Sequence, residues 1–110
     1  MIPKITVILI SVSVAILAAV TLNVQAQVGD NIAGLYKAKC AVCHGATGKG
    51  DTPAGKSMGV PSFSDPAVAA KSDAEWRAII EKGKNKMPAY GKNLKPEEIQ
   101  GLVAYIRSLK

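Results

Sequence analysis

Apolar residues recur at helical spacing in three stretches of the chain and run almost unbroken in a fourth. Near the C-terminus, Ile99, Leu102, Val103, Ile106 and Leu109 lie three or four apart, which predicts a helix with one buried face. Pro96 stands at the expected first helical position and Glu97-Glu98 fill the first turn, where a missing N–H costs nothing and negative charge is favoured. Trp76, Ile79 and Ile80 form a shorter stripe. Ahead of it, Ser72-Asp73-Ala74-Glu75 reads as a capping box. Gly83 suits the stop of that helix, with Lys82 and Lys84 near its negative end. Ile32, Leu35, Tyr36 and Lys39-Cys40 give a third helical stretch, from Asp30 to about Cys43, with Asp30 or Asn31 as its cap. No strand pattern and no internal repeat appears.

Two stretches have no period. Residues 45–66 are punctuated by Gly45, Gly48, Gly50, Pro53, Gly55, Gly59, Pro61 and Pro66 and read as loop. Residues 84–95, which hold Met87-Pro88, read as a second loop. A structureless segment as long as the first is unusual in a compact domain, and makes sense if it wraps something.

The unbroken run is N-terminal. Lys4 gives a short positive start, Ile5 to Leu22 is apolar apart from Thr6, Ser11, Ser13 and Thr21, and Val24-Gln25-Ala26 has the small residues of a cleavage site. Residues 1–26 therefore read as a signal peptide, followed by one domain over residues 27–110. The alternative is an uncleaved membrane anchor, since spanning takes about 20 apolar residues. On the first reading the domain is periplasmic or otherwise exported. On the second it is anchored to the outer face of the cytoplasmic membrane.

The 110-residue length allows one domain. Without the leader it is small, with Tyr36, Phe63, Trp76, Tyr90 and Tyr105 as its only aromatic residues. Chains of this size usually need a staple or a large cofactor. The net charge of +6 comes from 14 basic and 8 acidic side chains. Removing the leader takes away only Lys4. A lysine-rich surface suits acidic protein partners. No arginine-rich stripe with interleaved aromatics supports a nucleic-acid partner.

The staple is narrowed by the inventory: two cysteines and one histidine, all in Cys40-Ala41-Val42-Cys43-His44. C-x-x-C-H is the attachment signal of c-type haem. Two thiols reach the two vinyl groups of one porphyrin edge, and the next residue is carried under the iron. A redox dithiol would need βαβ surroundings. A zinc site would need a second pair of ligands, and none exists. A structural disulfide is the remaining competitor. Bis-histidine ligation is excluded within one chain, so the sixth iron ligand falls to Met58 or Met87, or the position stays open. Met87 is favoured. Its segment, Lys84 to Gly91, is too polar to need a buried filler, and it lies far enough from His44 to reach the other face of a haem. Met58 follows His44 by only 14 residues.

From Gly29 to Lys110 the chain resembles a bacterial class I cytochrome c. The resemblance rests on Leu35-Tyr36-Lys37-Ala38-Lys39 leading into the cysteine motif, on Gly48-Lys49-Gly50-Asp51, on Lys86-Met87-Pro88-Ala89-Tyr90-Gly91 and on Leu102-Val103-Ala104-Tyr105-Ile106-Arg107. It implies an all-α small cytochrome c fold of three to four helices, wrapped around one covalently bound haem, with the first and last helices crossing near Tyr36 and Tyr105. It implies Cys40 and Cys43 as thioether residues, His44 as proximal iron ligand and Met87 as distal ligand. In the family a proline carbonyl often accepts from the proximal histidine, and Pro53 and Pro61 are both candidates. The family also often has a glycine two turns before the first cysteine, where the helices touch. Here that position is Ile32.

The expected function is one-electron transfer by haem c, not enzymatic turnover, with redox donor and acceptor proteins as partners. Ile79, Ile80, Leu94 and Leu102 are expected to bury the porphyrin. Trp76 is expected to pack near it, its indole N–H bonded to a propionate or within the core. Lys49, Lys56, Lys84, Lys86 and Lys92 are candidates for a patch that docks acidic partners. The competing readings are an open-site haem enzyme or gas-binding protein, and a haem subunit of a larger oxidoreductase.

Overall fold

A computed structural model describes residues 3–6, 8 and 29–109. The chain divides into two compact units, Met1–Asn31 and Ile32–Lys110. In the first, residues 4–6 and 8 are helical. The rest of the expected leader, and whether it is cleaved, lie outside the described residues. Among the described residues no helix is long and apolar enough to cross a membrane.

The second unit is helical throughout, and the described residues contain no extended strand. Its elements are α1 (residues 32–39), α2 (Ala41–His44), α3 (Pro53–Met58), α4 (Pro66–Ala69), α5 (Asp73–Lys82) and α6 (Pro96–Ser108). The first helix expected from periodicity is here α1 and α2, broken at Cys40, and the other two are α5 and α6. The remaining two, α3 and α4, are one or two turns long.

Local chemistry explains most boundaries. At α5 the Ser72 hydroxyl accepts from the Glu75 N–H and the Glu75 carboxylate accepts from the Ser72 N–H, at 3.2 and 2.7 Å. The capping box read from sequence is therefore present, and it holds the Glu75 carboxyl below its ordinary range. At α6, Pro96 takes the first position and the Glu98 carboxylate accepts from the Lys95 N–H at 2.8 Å.

Two expectations fail. Residues 29 and 30 are already helical, so the cap expected at Asp30 or Asn31 is not there. The stretch 45–66 is not all loop, because α3 forms inside it. The Thr52 hydroxyl accepts from the Gly55 N–H at 2.9 Å, Pro53 begins the helix and Gly59 closes it in the left-handed region. These are ordinary start and stop signals, hidden here among other glycines.

The core sits between α1, α5 and α6. Ile99, Leu102, Val103 and Ile106 form the buried face of α6, against Ile32 and Tyr36 of α1 and Trp76 and Ile80 of α5. Truncating a residue such as Leu102, which is 1% exposed, would cost about 2–5 kcal/mol. The α1–α6 contact uses an exchange of sizes. Ile32 occupies the position where a glycine is common, and the small residue is on the other helix. A Cβ on Gly101 would meet Ile32 Cδ1 at 2.8 Å. One turn on, the Tyr36 and Tyr105 rings lie 5.2 Å apart.

A second anchor joins α6 to the α4–α5 corner. The Arg107 guanidinium sits 4.2 Å from the Trp76 ring centroid. It donates to Asp73 Oδ1 at 2.7 Å, to the Lys71 carbonyl at 2.6 Å and to the Ala69 carbonyl at 3.3 Å. The ion pair alone is exposed and would contribute less than about 1 kcal/mol. The two carbonyls and the ring make the arginine a clamp.

Candidate haem site

The helices enclose an apolar cavity of about 620 Å³, within the usual range for a cofactor pocket. Cys40, Cys43 and His44 line one wall, and Met87 lines the cavity as well. The sequence motif and the favoured methionine are 43 positions apart and meet in one space. Met58 also lines it, so lining alone does not separate the two methionines.

The cysteine wall is a helical turn. The Cys40 N–H donates to the Tyr36 carbonyl at 2.8 Å, and the His44 N–H donates to the Cys40 carbonyl at 2.9 Å. Positions i, i+3 and i+4 share one face of a helix, which brings both thiols and the imidazole to the same side. Both cysteines are free and half-buried, and burial pushes the Cys40 thiol above its ordinary range. The turn is tied from outside. The Thr52 hydroxyl lies 2.7 Å from the Val42 carbonyl, the Gly50 N–H donates to the His44 carbonyl at 2.8 Å, and the Tyr36 hydroxyl donates to the Gly45 carbonyl at 2.7 Å. Burial raises the Tyr36 hydroxyl from 10.0 to about 12.

The His44 ring stacks on Phe63, with centroids 4.6 Å apart and planes at 16°. Burial holds the imidazole below its usual pKa, which favours the neutral form that binds metals. Its Nδ1 is buried with no hydrogen-bond partner among the described residues. Neither Pro53 nor Pro61 therefore supplies the expected carbonyl, and stacking orients the ring instead.

The Met87 wall hangs from the end of α5. The Lys84 and Met87 N–H groups donate to each other's carbonyls, at 3.1 and 2.9 Å. This closes a two-residue turn with Asn85 at φ 54°, a conformation that asparagine tolerates well. The Tyr90 and Gly91 N–H groups donate to the Ile80 and Glu81 carbonyls. Gly83, at φ 73°, lets the segment lie flat on the helix end, since a Cβ there would meet the Met87 carbonyl oxygen at 2.6 Å. Met87 packs against the core cluster. The Tyr90 hydroxyl donates to the Lys39 carbonyl at 3.2 Å, joining this wall to the chain just before Cys40.

Ile79, Ile80, Leu94 and Leu102 all line the cavity, as expected, and so does Trp76. The Trp76 indole donates to the Val68 carbonyl at 3.0 Å, so its partner is backbone. Of the lysines that are candidates for a docking patch, Lys84 and Lys86 line the cavity, and Lys39 and Lys71 line it as well. Lys39 was hidden inside the first helical stretch and Lys71 before the capping box. Arg107 and Gly101, whose work depends on contacts distant in sequence, carried no local signal.

Half-buried free thiols one turn apart, a neutral imidazole with an orphaned nitrogen, and an apolar space behind them fit a covalently bound haem. An all-helical domain closed around such a wall defines a c-type cytochrome. The family described as "Cytochrome C oxidase, cbb3-type, subunit III" matches residues 27–106. Cytochrome c6 of Anabaena variabilis is 38% identical over 81 residues, covering 69% of this chain and 85% of that protein. Cytochrome c6 of Rippkaea orientalis (strain PCC 8801 / RF-1) is 36% identical over 95 residues, with coverages of 80% and 78%. Among solved structures, the KustC0563 c-type cytochrome matches with a TM-score of 0.65 and 32% identity, over 71% of this chain and 95% of that one. The chain belongs to this cytochrome c family: it is a haem c protein and an electron carrier.

Proposed function

We propose that this protein is an exported one-electron carrier whose haem is attached through Cys40 and Cys43, with His44 and Met87 as axial ligands. The observation that carries the reading is the meeting of these four residues on the walls of one apolar cavity. When bound, haem c exchanges one electron between ferric and ferrous iron. Each residue has its part. The two thiols fix one edge of the ring. His44, kept neutral by burial, supplies a nitrogen. Met87 supplies a soft, uncharged sulfur that favours the ferrous state and raises the potential. The apolar wall of Ile79, Ile80, Leu94 and Leu102 excludes water and disfavours the extra ferric charge.

Met87 is preferred over Met58 because its turn is closed by reciprocal backbone bonds and it packs on the core. A sulfur held in place before ligation loses less freedom on binding. The test compares Met87→Ala with Met58→Ala. The oxidised Met87→Ala protein should lose the weak far-red iron–sulfur band and bind carbon monoxide when reduced. Its potential should fall by on the order of a few tenths of a volt, a part of the roughly 0.8 V that axial ligands span. Met58→Ala should keep the band. The reverse outcome would reassign the ligand, and a wild-type protein without the band would favour the open-site reading.

Exposed Lys39, Lys84 and Lys86, with Val42 at 63% exposure, make a positive rim with an apolar spot. Small rims of this kind suit weak encounters with acidic redox proteins. The name of the matching family favours a second reading, a haem subunit of a larger oxidoreductase. Elution of the native protein at the size of one chain would decide for the free carrier.

A further inference from the structure

The cavity wall carries charge of one sign. Lys39, Lys71, Lys84 and Lys86 line it, and no carboxylate does among the described residues. Three of these lysines are exposed. Lys39 precedes Cys40, and Lys84 and Lys86 flank the Met87 turn. Lys71 differs. It is half-buried, on the connection between α4 and α5. Its backbone is held at both groups, the N–H donating to the Val68 carbonyl at 3.2 Å and the carbonyl accepting from Arg107 Nη2 at 2.6 Å.

The Lys71 ammonium has no ion-pair partner among the described residues, and the anions nearby are engaged. Asp73 pairs with Arg107. Glu75 feels the Lys71 charge, but its carboxylate accepts from the Ser72 N–H at 2.7 Å and forms no ion pair with Lys71. The Trp76 indole, given to Val68, is not free to hold a carboxylate either. Haem c brings two carboxylates, on the side of the porphyrin away from the vinyl groups. With the vinyl groups held at Cys40 and Cys43, the carboxylates would be the groups left for a cation outside the cysteine turn. Lys71 is the cation of the wall that belongs neither to the cysteine turn nor to the methionine turn.

We propose that Lys71 is a positioning residue that holds a haem propionate by a charge-assisted hydrogen bond. This rests on the attachment through Cys40 and Cys43 proposed above. The bond sets the seat of the porphyrin at its carboxylate edge. It also offsets a negative charge that would otherwise favour ferric iron. Arg107, Asp73 and Glu75 face the same corner, and Lys39, Lys84, Lys86, Tyr90 and the cysteine–histidine turn face the cavity from its other walls.

The experiment measures the reduction potential of haem-loaded wild-type, Lys71→Gln, Lys71→Arg and Lys82→Gln proteins between about pH 5 and pH 9, a span wide enough to cover a carboxyl raised by losing its partner. In Lys71→Gln the ferrous-to-ferric ratio at a fixed ambient potential should fall roughly threefold. The potential should also fall with rising pH as the freed propionate ionises. Lys71→Arg should restore the wild-type profile. Lys82→Gln removes the same charge from α5 away from the cavity and should leave the profile unchanged. A loaded Lys71→Gln protein with the wild-type potential and pH profile would overturn the assignment. A wild-type mass without thioether-linked haem would overturn the attachment, and this assignment with it.

Discussion

The wall that carries His44 and the wall that carries Met87 are built by different means. The first is a run of five consecutive residues, tied by side chains from three directions: Tyr36, Thr52 and the Phe63 ring. The second is a turn hung by backbone bonds on the C-terminal end of α5, with one side-chain tie from Tyr90. Hydrogen bonds shared with the core and with several elements open only when the domain opens. A turn at a helix end opens more cheaply. The methionine side is therefore the weaker half of the site, and the histidine side is secured as firmly as the fold.

The largest way to sharpen this contrast is Gly83→Ala. Gly83 combines φ 73° with ψ 170°, a region essentially restricted to glycine, where another residue costs about 1–3 kcal/mol. The new methyl group would also meet the Met87 carbonyl. In this variant the far-red band should vanish at a lower denaturant concentration than the helical circular dichroism. Coincident loss of the two signals would mean that the walls are equally firm.

A smaller effect is expected on the histidine side. Tyr36→Phe leaves the Gly45 carbonyl without its donor and should cost about 1–3 kcal/mol of global stability, with the band and the helix lost together. The tyrosine also makes stability depend on alkaline pH. Its folded-state pKa of about 12 lies above the ordinary 10.0. The unfolded chain therefore gives up this proton first. The contribution of Tyr36 is complete below about pH 10 and lost as pH rises through about 12. Denaturant midpoints taken across that window should fall less steeply for Tyr36→Phe than for the wild type.

The same contrast governs what could be read from the sequence. The histidine wall is written in five adjacent letters, and its chemistry follows from their order. The helix starts at Ser72 and Pro96 were equally plain, because caps act over three or four residues. The first loop was harder. Thr52-Pro53 is a sound helix start, but it lies among so many glycines that the stretch reads as structureless. Long-range work was not legible at all. Gly101 makes room for Ile32, Arg107 clamps the α4–α5 corner, and Lys71 joins the cavity wall, each through partners far along the chain. The missing acceptor for His44 Nδ1 has the same origin, since Pro53 and Pro61 looked suitable until the ring was seen stacked on Phe63.

The central claim is most directly tested by mass spectrometry of the protein purified from its native host. The account predicts one haem mass carried by the peptide that contains Cys40, Cys43 and His44, with no free thiol on it. The same peptide without added mass, its two sulfurs free or joined to each other, would contradict it.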